Sequence, residues 1–293
     1  MSALEPTEPA VNRLTQRFSD LKAAGRTALI PYLTAGDPQP AATVGFMHAL
    51  VQAGADVIEL GVPFTDPMAD GPVIQAACER ALAHNTSLRD VLSMVARFRE
   101  DDTDTPVVLM GYYNPIDRLG LDDFAARAAE SGVDGVLIVD LTAEEAPDVV
   151  PSLTAANLSP VCLIAPTTGE ARIKMICENA GGYIYYVSFK GVTGSASLDT
   201  DALAGQIAPI RRATQLPIGV GFGVRTPANA ADVSDVADGV VVGSVLVGQI
   251  ADHLDDEAGA RDALSRTLGD MRAAIDARDD KRKVKQTEEG EHA

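Results

Sequence analysis

The chain has 293 residues, 46% of them hydrophobic, and carries 24 Lys plus Arg against 42 Asp plus Glu, a formal charge of −18. That length and apolar content suit one globular domain of the size of a single barrel, roughly 250 residues. The acidity excludes nucleic acid or an anionic membrane surface as the main partner, because both demand a basic footprint.

Other features narrow the setting. No apolar run approaches the roughly 18 residues of a membrane span, and the opening MSALEPTEPAVNRL lacks a basic-then-apolar leader pattern. Cys78, Cys162 and Cys177 have no C-x-x-C spacing, which argues against a disulfide framework or a zinc site. A soluble chain in a reducing cytoplasm is expected. The acid is skewed in kind, with 28 Asp to 14 Glu and 18 Arg to only 6 Lys. Such self-repulsion predicts a salt-rich cytoplasm, where counter-ions screen it within a few ångströms.

In chain order, the polar stretch 1–10 predicts disorder, and Leu14, Phe18 and Leu21 then fall at helical spacing. Eight short, unalternating apolar runs follow, as expected for strands buried on both faces. They are 27–33 (TALIPYL), 56–60 (DVIEL), 106–110 (PVVLM), 134–139 (DGVLIV), 159–164 (SPVCLI), 183–187 (YIYYV), 217–220 (PIGV) and 239–242 (GVVV). The long gap after the second run has room for two helices, near 73–83 and 88–99, and Phe124, Ala128 and Ala129 repeat the helical pattern. Eight β-then-α alternations predict an α/β fold, a (β/α)8 TIM barrel with extra helices, over residues 11–278. A doubly wound open sheet is weakened by the absence of a G-x-G-x-x-G turn after the first strand. Residues 279–293 (DDKRKVKQTEEGEHA) predict a disordered charged tail, with the basic cluster 281–285 a solvated end.

In a barrel, the C-terminal strand ends and the loops after them face the active site. Glu59 sits near the end of the second run, between Ile58 and Leu60. It is either an ion-paired core residue or a catalytic carboxylate whose pKa desolvation would raise. Asp70, eleven residues on and just before Gly71-Pro72, is either the N-cap of the next helix or its catalytic partner. Glycines mark the last three strand ends, in Gly191-Val192-Thr193-Gly194, Gly221-Phe222-Gly223 and Gly243-Ser244. They either make tight turns or leave backbone N–H groups bare for a phosphate, which needs no Lys or Arg there. Tyr112 and Asn114 after the third strand, and Tyr32 in the first, either position substrate or pack the mouth.

Absences narrow the chemistry. Only Lys190 of the six lysines lies near a strand end, and His48, His84, His253 and His292 assemble no metal triad by sequence logic. G-x-x-x-x-G-K-[ST] and G-x-S-x-G turns are both missing. Acid–base work by carboxylates on a small phosphorylated substrate remains.

The segments PYLTAGDP, ADVIELGVPFTDPMADGPVIQ, VLMGYYNP, GVDGVLIVDL, APTTGEARI, YVSFKGVTG, IGVGFGV and ADGVVVGS together resemble the α subunit of tryptophan synthase, in that family's order over residues 11–275. The resemblance implies retro-aldol cleavage of indole-3-glycerol phosphate to indole and glyceraldehyde 3-phosphate. It implies Glu59 as general acid/base and Asp70 as the carboxylate that binds the indole nitrogen. Gly194, Gly223, Gly243 and Ser244 match the family's phosphate site, with Phe222 beside them. Thr193 matches a loop threonine that closes toward Asp70, Tyr32 and Tyr185 match aromatic positions lining the site, and Tyr112 is expected to join them in binding substrate. No cofactor is implied in this chain; pyridoxal phosphate (PLP) belongs to a β-subunit partner in an α2β2 heterotetramer. That partner docks on loop 63–70 together with the strand-six loop, with Asp66 and Pro67 as candidate contacts, and receives the indole.

The chain departs from the family at Thr142, where proline is usual, and at Phe189-Lys190 before GVTG. The first departure predicts a looser fourth loop and the second an altered sixth-loop closure. Three alternatives stay open. One is a ring-closing enzyme of the same fold, which would be expected to need a lysine at a strand end that this chain lacks. The others are an autonomous lyase without a β partner and a non-catalytic subunit that only activates β.

Overall fold

The eight apolar runs form the eight strands of a closed parallel barrel in the computed structural model, which describes residues 12–188, 199–221 and 223–291. In chain order the elements are α1 (Arg13–Ala23), β1 (Ala28–Thr34), α2 (Ala42–Gln52), β2 (Ile58–Gly61), α3 (Pro72–Ala83), α4 (Leu88–Phe98), β3 (Val107–Gly111), α5 (Tyr113–Leu119), α6 (Leu121–Glu130) and β4 (Gly135–Ile138). The series continues with α7 (Ala146–Ala155), β5 (Ser159–Ile164), α8 (Glu170–Glu178), β6 (Ile184–Val187), α9 (Thr200–Ala213), β7 (Ile218–Gly221), α10 (Pro227–Ser234), β8 (Gly239–Val242), α11 (Ser244–Ala251) and α12 (Glu257–Glu291). Each strand pairs with its sequence neighbour, and β8 closes on β1 with Ala28 beside Gly239. No unpaired edge remains, which rules out the open sheet.

Side-chain alternation divides the core into two layers. Ile30, Val57, Val108, Leu137, Val161, Tyr183 and Val241 point inward and fill the barrel. The alternate residues, among them Leu29, Ile58, Leu109 and Val240, point outward against the helices. Leu14, Phe18 and Leu21 of α1 join the inner layer, so this helix plugs the N-terminal end of the barrel. Gly182, at φ +68°, is required there, since a Cβ would stand 2.6 Å from the Leu14 side chain. With that end sealed, only the C-terminal mouth is left for chemistry.

Aspartates finish the sealed end. The first N–H of a barrel strand has no partner unless something reaches it. Asp56, just ahead of β2, accepts from Leu29 N–H of β1 at 2.9 Å. Asp134, ahead of β4, accepts from Val107 N–H of β3 at 2.8 Å, and Asp238, ahead of β8, accepts from Ile218 N–H at 2.8 Å. Arginines neutralise these buried carboxylates, as with Arg99 on Asp134 at 2.8 Å and Arg272 on Asp56 at 3.1 Å.

The chain's end departs from expectation. Residues 279–291 continue α12 instead of forming a disordered tail. The cause is visible at Asp279, which is 1% exposed and accepts from Thr27 N–H at 2.8 Å and Thr27 Oγ1 at 2.9 Å, while Arg282 pairs with it one turn on. Composition hid this because buried polar contacts of Asp279 and Arg282, not an apolar face, dock the segment. Residues 1–10 of the expected N-terminal extension and residues 292 and 293 lie outside the described residues. Asp279→Ala would strand the Thr27 N–H and leave arginine charge uncompensated, costing about 2–3 kcal/mol. A drop in Tm of several degrees is expected, measured by calorimetry.

Candidate active site

Alternation along β2 puts Val57, Glu59 and Gly61 on the barrel's inner face. Glu59 is completely buried, and its Oε1 accepts a hydrogen bond from the Tyr183 hydroxyl. Its Oε2 has no protein partner, and no cation pairs with it among the described residues. Among the described residues Glu59 is therefore not part of an ion pair. Burial pushes the carboxyl up to about 8, against the opposing pull of the Tyr183 bond. Near neutrality Glu59 mostly carries its proton, as a general acid must.

Asp70 lies in the loop after β2. Gly71, not Asp70, is the N-cap of α3, and no side chain caps that helix. The Asp70 carboxylate instead accepts from the Tyr112 hydroxyl at 2.8 Å, while that hydroxyl accepts from Ala69 N–H at 3.0 Å. Tyr112 follows β3 directly and stacks on Phe64 of the same loop at 5.2 Å between ring centroids. One tyrosine thus fixes the second carboxylate and its loop together. Partial burial raises the Asp70 pKa, and the Tyr112 bond holds it back.

Tyr32 and Tyr185 occupy the space between. Tyr32 sits in register beside Glu59, and both tyrosine hydroxyls are pushed up first by burial and further by the charges of Asp70 and Glu59. Both rings need small neighbours. A Cβ on Gly61 would fall 2.0 Å from the Tyr32 hydroxyl, and one on Gly221 would fall 2.2 Å from that of Tyr185. Gly61 and Tyr183 are contributors that the sequence reading missed, and Gly221, read there as a turn or phosphate glycine, makes room for the Tyr185 ring. The alternation of Tyr183 and Tyr185 in YIYY was the available signal for Tyr183.

Of the expected phosphate residues, Gly223 follows β7 with φ +91°, and Gly243 and Ser244 open α11. Gly243 caps that helix without a side chain, leaving first-turn N–H groups that by helix geometry have no intrahelical acceptor. A Cβ on Gly243 would lie 3.6 Å from the Tyr32 Cβ, so Tyr32 joins the glycine end of the mouth to the carboxylate end. Thr193, Gly194 and Phe222, like Phe189 and Lys190, lie outside the described residues. Thr142 does not loosen the fourth loop: its hydroxyl donates to the Glu145 carboxylate at 2.7 Å and accepts from Glu145 N–H at 3.3 Å, closing the turn. No cluster of three or more His, Cys, Asp or Glu suited to a metal exists among the described residues.

The arrangement is a protonated carboxyl deep in the mouth, a second carboxylate on a loop, and glycines at the ends of β7 and β8. The family described as tryptophan synthase alpha chain matches residues 18–276. The chain belongs to that family. It is 59% identical over 266 residues to the tryptophan synthase alpha chain of Thioalkalivibrio sulfidiphilus, covering 91% of this chain and 100% of that one. Identity to the Marinobacter nauticus alpha chain is 58%, over 91% of this chain and 99% of that one. The crystal structure of tryptophan synthase subunit alpha from Legionella pneumophila superposes with a TM-score of 0.86 at 46% identity, covering 92% of this chain and 100% of that one.

Members of the tryptophan synthase alpha chain family cleave indole-3-glycerol phosphate, and this chain is a carbon–carbon lyase of that kind with no cofactor of its own. No helix among the described residues is long and apolar enough to cross a membrane.

The raised Glu59 pKa has a stability consequence. The folded state holds the Glu59 proton up to about pH 8, whereas an unfolded glutamate loses it near 4.5. The folded state therefore loses stability as pH rises from about 4.5 to 8, and the cost levels off above that. Glu59→Gln removes the cost, so its Tm gain over the native protein should be near zero at pH 5 and several degrees at pH 8, by calorimetry at both values.

Proposed function

We propose that Glu59 carries the proton traffic of the lyase reaction and that Asp70 supports the cationic ring. The supporting observation is a buried carboxyl with no cation beside it among the described residues, which keeps its proton near neutral pH. Glu59 donates that proton to indole C3, and the ring becomes an iminium cation. The Asp70 carboxylate accepts the ring N–H and stabilises the charge. Glu59, now a carboxylate, takes the proton of the side-chain hydroxyl. The bond from C3 to the glycerol carbon then breaks, its electron pair returns to the ring, and the hydroxyl carbon leaves as the aldehyde. Glu59 ends protonated, so the cycle closes with no net proton and no co-reactant. Gly223, Gly243 and Ser244, with Gly194, hold the phosphate, and Tyr32, Tyr112, Tyr185, Thr193 and Phe222 line the indole and glycerol portions.

Loop 63–70 is the proposed dock for a PLP-dependent β subunit in an α2β2 heterotetramer, which takes up the indole. Its exposed Met68 at 79%, with Asp66 and Pro67 beside it, suits a partner surface. The same loop carries Asp70 and the Ala69 N–H bonded to Tyr112, so pressure on it transmits directly to the second carboxylate. The Asp-over-Glu and Arg-over-Lys skew supports function in a salt-rich cytoplasm.

Steady-state indole release in molar KCl, with and without the cognate β subunit, tests these roles together. Weak release that rises strongly with β is expected, with lower activity in dilute buffer. Glu59→Gln and Asp70→Asn should each lose about 10²-fold or more, and Tyr112→Phe about tenfold. Full release that β leaves unchanged would identify an autonomous lyase. Unaltered turnover in Glu59→Gln would remove Glu59 from the mechanism.

A further inference from the structure

The sealed end of the barrel holds a second pocket that the lyase site does not use. The family match ends at residue 276, whereas α12 runs on to Glu291. The added turns are pinned to the barrel: Arg278 donates to Asp235 at 2.8 Å and to Asp232 at 3.2 Å, and Arg282 donates to the Ser234 carbonyl. Gly25 lets the helix approach, since a Cβ there would stand 3.1 Å from the Lys283 Cε. The extension thereby becomes one wall of a cavity of about 260 Å³ between α1, the turn before β1, the end of α9 and the turn before β8.

Five cations line this cavity, Lys22, Arg26, Arg211, Arg282 and Lys283, against one carboxylate, Asp238. That gathering stands out in a chain of charge −18 with only 24 Lys and Arg. Three of the five are engaged: Arg211 lies 2.5 Å from Asp238, Arg282 pairs with Asp279, and Lys283 lies 3.5 Å from Asp280. Arg26 is held more loosely, by ion pairs 3.8 Å from Asp56 and 3.6 Å from Asp276 that are longer than hydrogen bonds, and no carboxylate pairs with Lys22 among the described residues. Lys22 and Arg211 also offset the negative C-terminal ends of α1 and α9. Arg26, Arg282 and Lys283 exceed that need. The floor is apolar, formed by Phe18 and Pro217.

We propose that this pocket binds a small molecule bearing a phosphate on an apolar or aromatic body. Guanidinium and ammonium groups converging from three separate elements match a multi-oxygen dianion, and the long Arg26 ion pairs leave its N–H groups without a hydrogen-bonded carboxylate. The apolar floor gives the body of the ligand a surface, and the volume, just under that of drug-sized ligand sites, limits it to about mononucleotide size. The site lies at the opposite end of the barrel from Glu59, so its ligand is not the lyase substrate.

Adenosine monophosphate serves as the probe, titrated into the full chain at low salt while backbone amide resonances are followed. Saturable shifts are expected at Gly25, Arg26 and Gln215. Lys22→Glu, a change at an exposed side chain with no ion-pair partner, should weaken that binding at least about tenfold while indole release stays unchanged. Arg26→Ala should weaken it similarly. Shifts that never saturate (an adventitious ion only), that appear only in the turns after β7 and β8, or that survive Lys22→Glu would overturn the proposal.

Discussion

Much of this molecule follows from one buried carboxyl group. Glu59 lies inside the barrel with no counter-cation among the described residues, and a charge there would be costly in the low-dielectric interior. The protein meets that cost by keeping the proton on, and the proton is then available for transfer to carbon. Tyr183 tempers the effect from below by donating to one carboxyl oxygen. A lysine or arginine beside Glu59 would have stabilised the fold and held the group ionised at neutral pH, removing the acid.

The two ends of the barrel divide the remaining work. The N-terminal end is closed by α1, by aspartates that satisfy the strands' first N–H groups, and by arginines that neutralise them. Those buried ion pairs do not need to move, and they hold strand positions firmly. At the other end, glycines replace side chains at Gly61, Gly221 and Gly243, and tyrosines lie across the space they leave. Asp70 belongs to this end but rides on an exposed loop, its carboxylate held by Tyr112 and its backbone by Pro67 and Gln75. The site therefore joins an acid held inside the barrel to a carboxylate carried by a surface loop.

The barrel was legible because buried parallel strands write continuous apolar runs, and each of the eight runs overlaps its strand. Glu59 could be placed at a strand end, but whether it was ion-paired or catalytic depended on neighbours remote in sequence, and only the fold supplies these. Asp70 shows the same limit: its position before Gly71-Pro72 fits an N-cap, and only Tyr112, 42 residues away, reveals otherwise. Tyr183 was hidden for the same reason, across a separation of 124 residues. The last turns of α12 looked unfoldable by composition, since their docking rests on Asp279 reaching Thr27 across 252 residues. Local pattern fixes elements well and long-range polar pairing poorly.

The pH profile of indole release tests the central claim most directly, measured as kcat/KM for the native protein and for Tyr183→Phe. Glu59 must hold its proton and Asp70 must be ionised, so a bell-shaped profile is expected with its alkaline limb near pH 8. The Tyr183 bond favours the carboxylate, so removing it should move the alkaline limb to higher pH and leave the acidic limb in place. Activity that keeps rising through pH 8, or an alkaline limb that Tyr183→Phe does not move, would contradict the account.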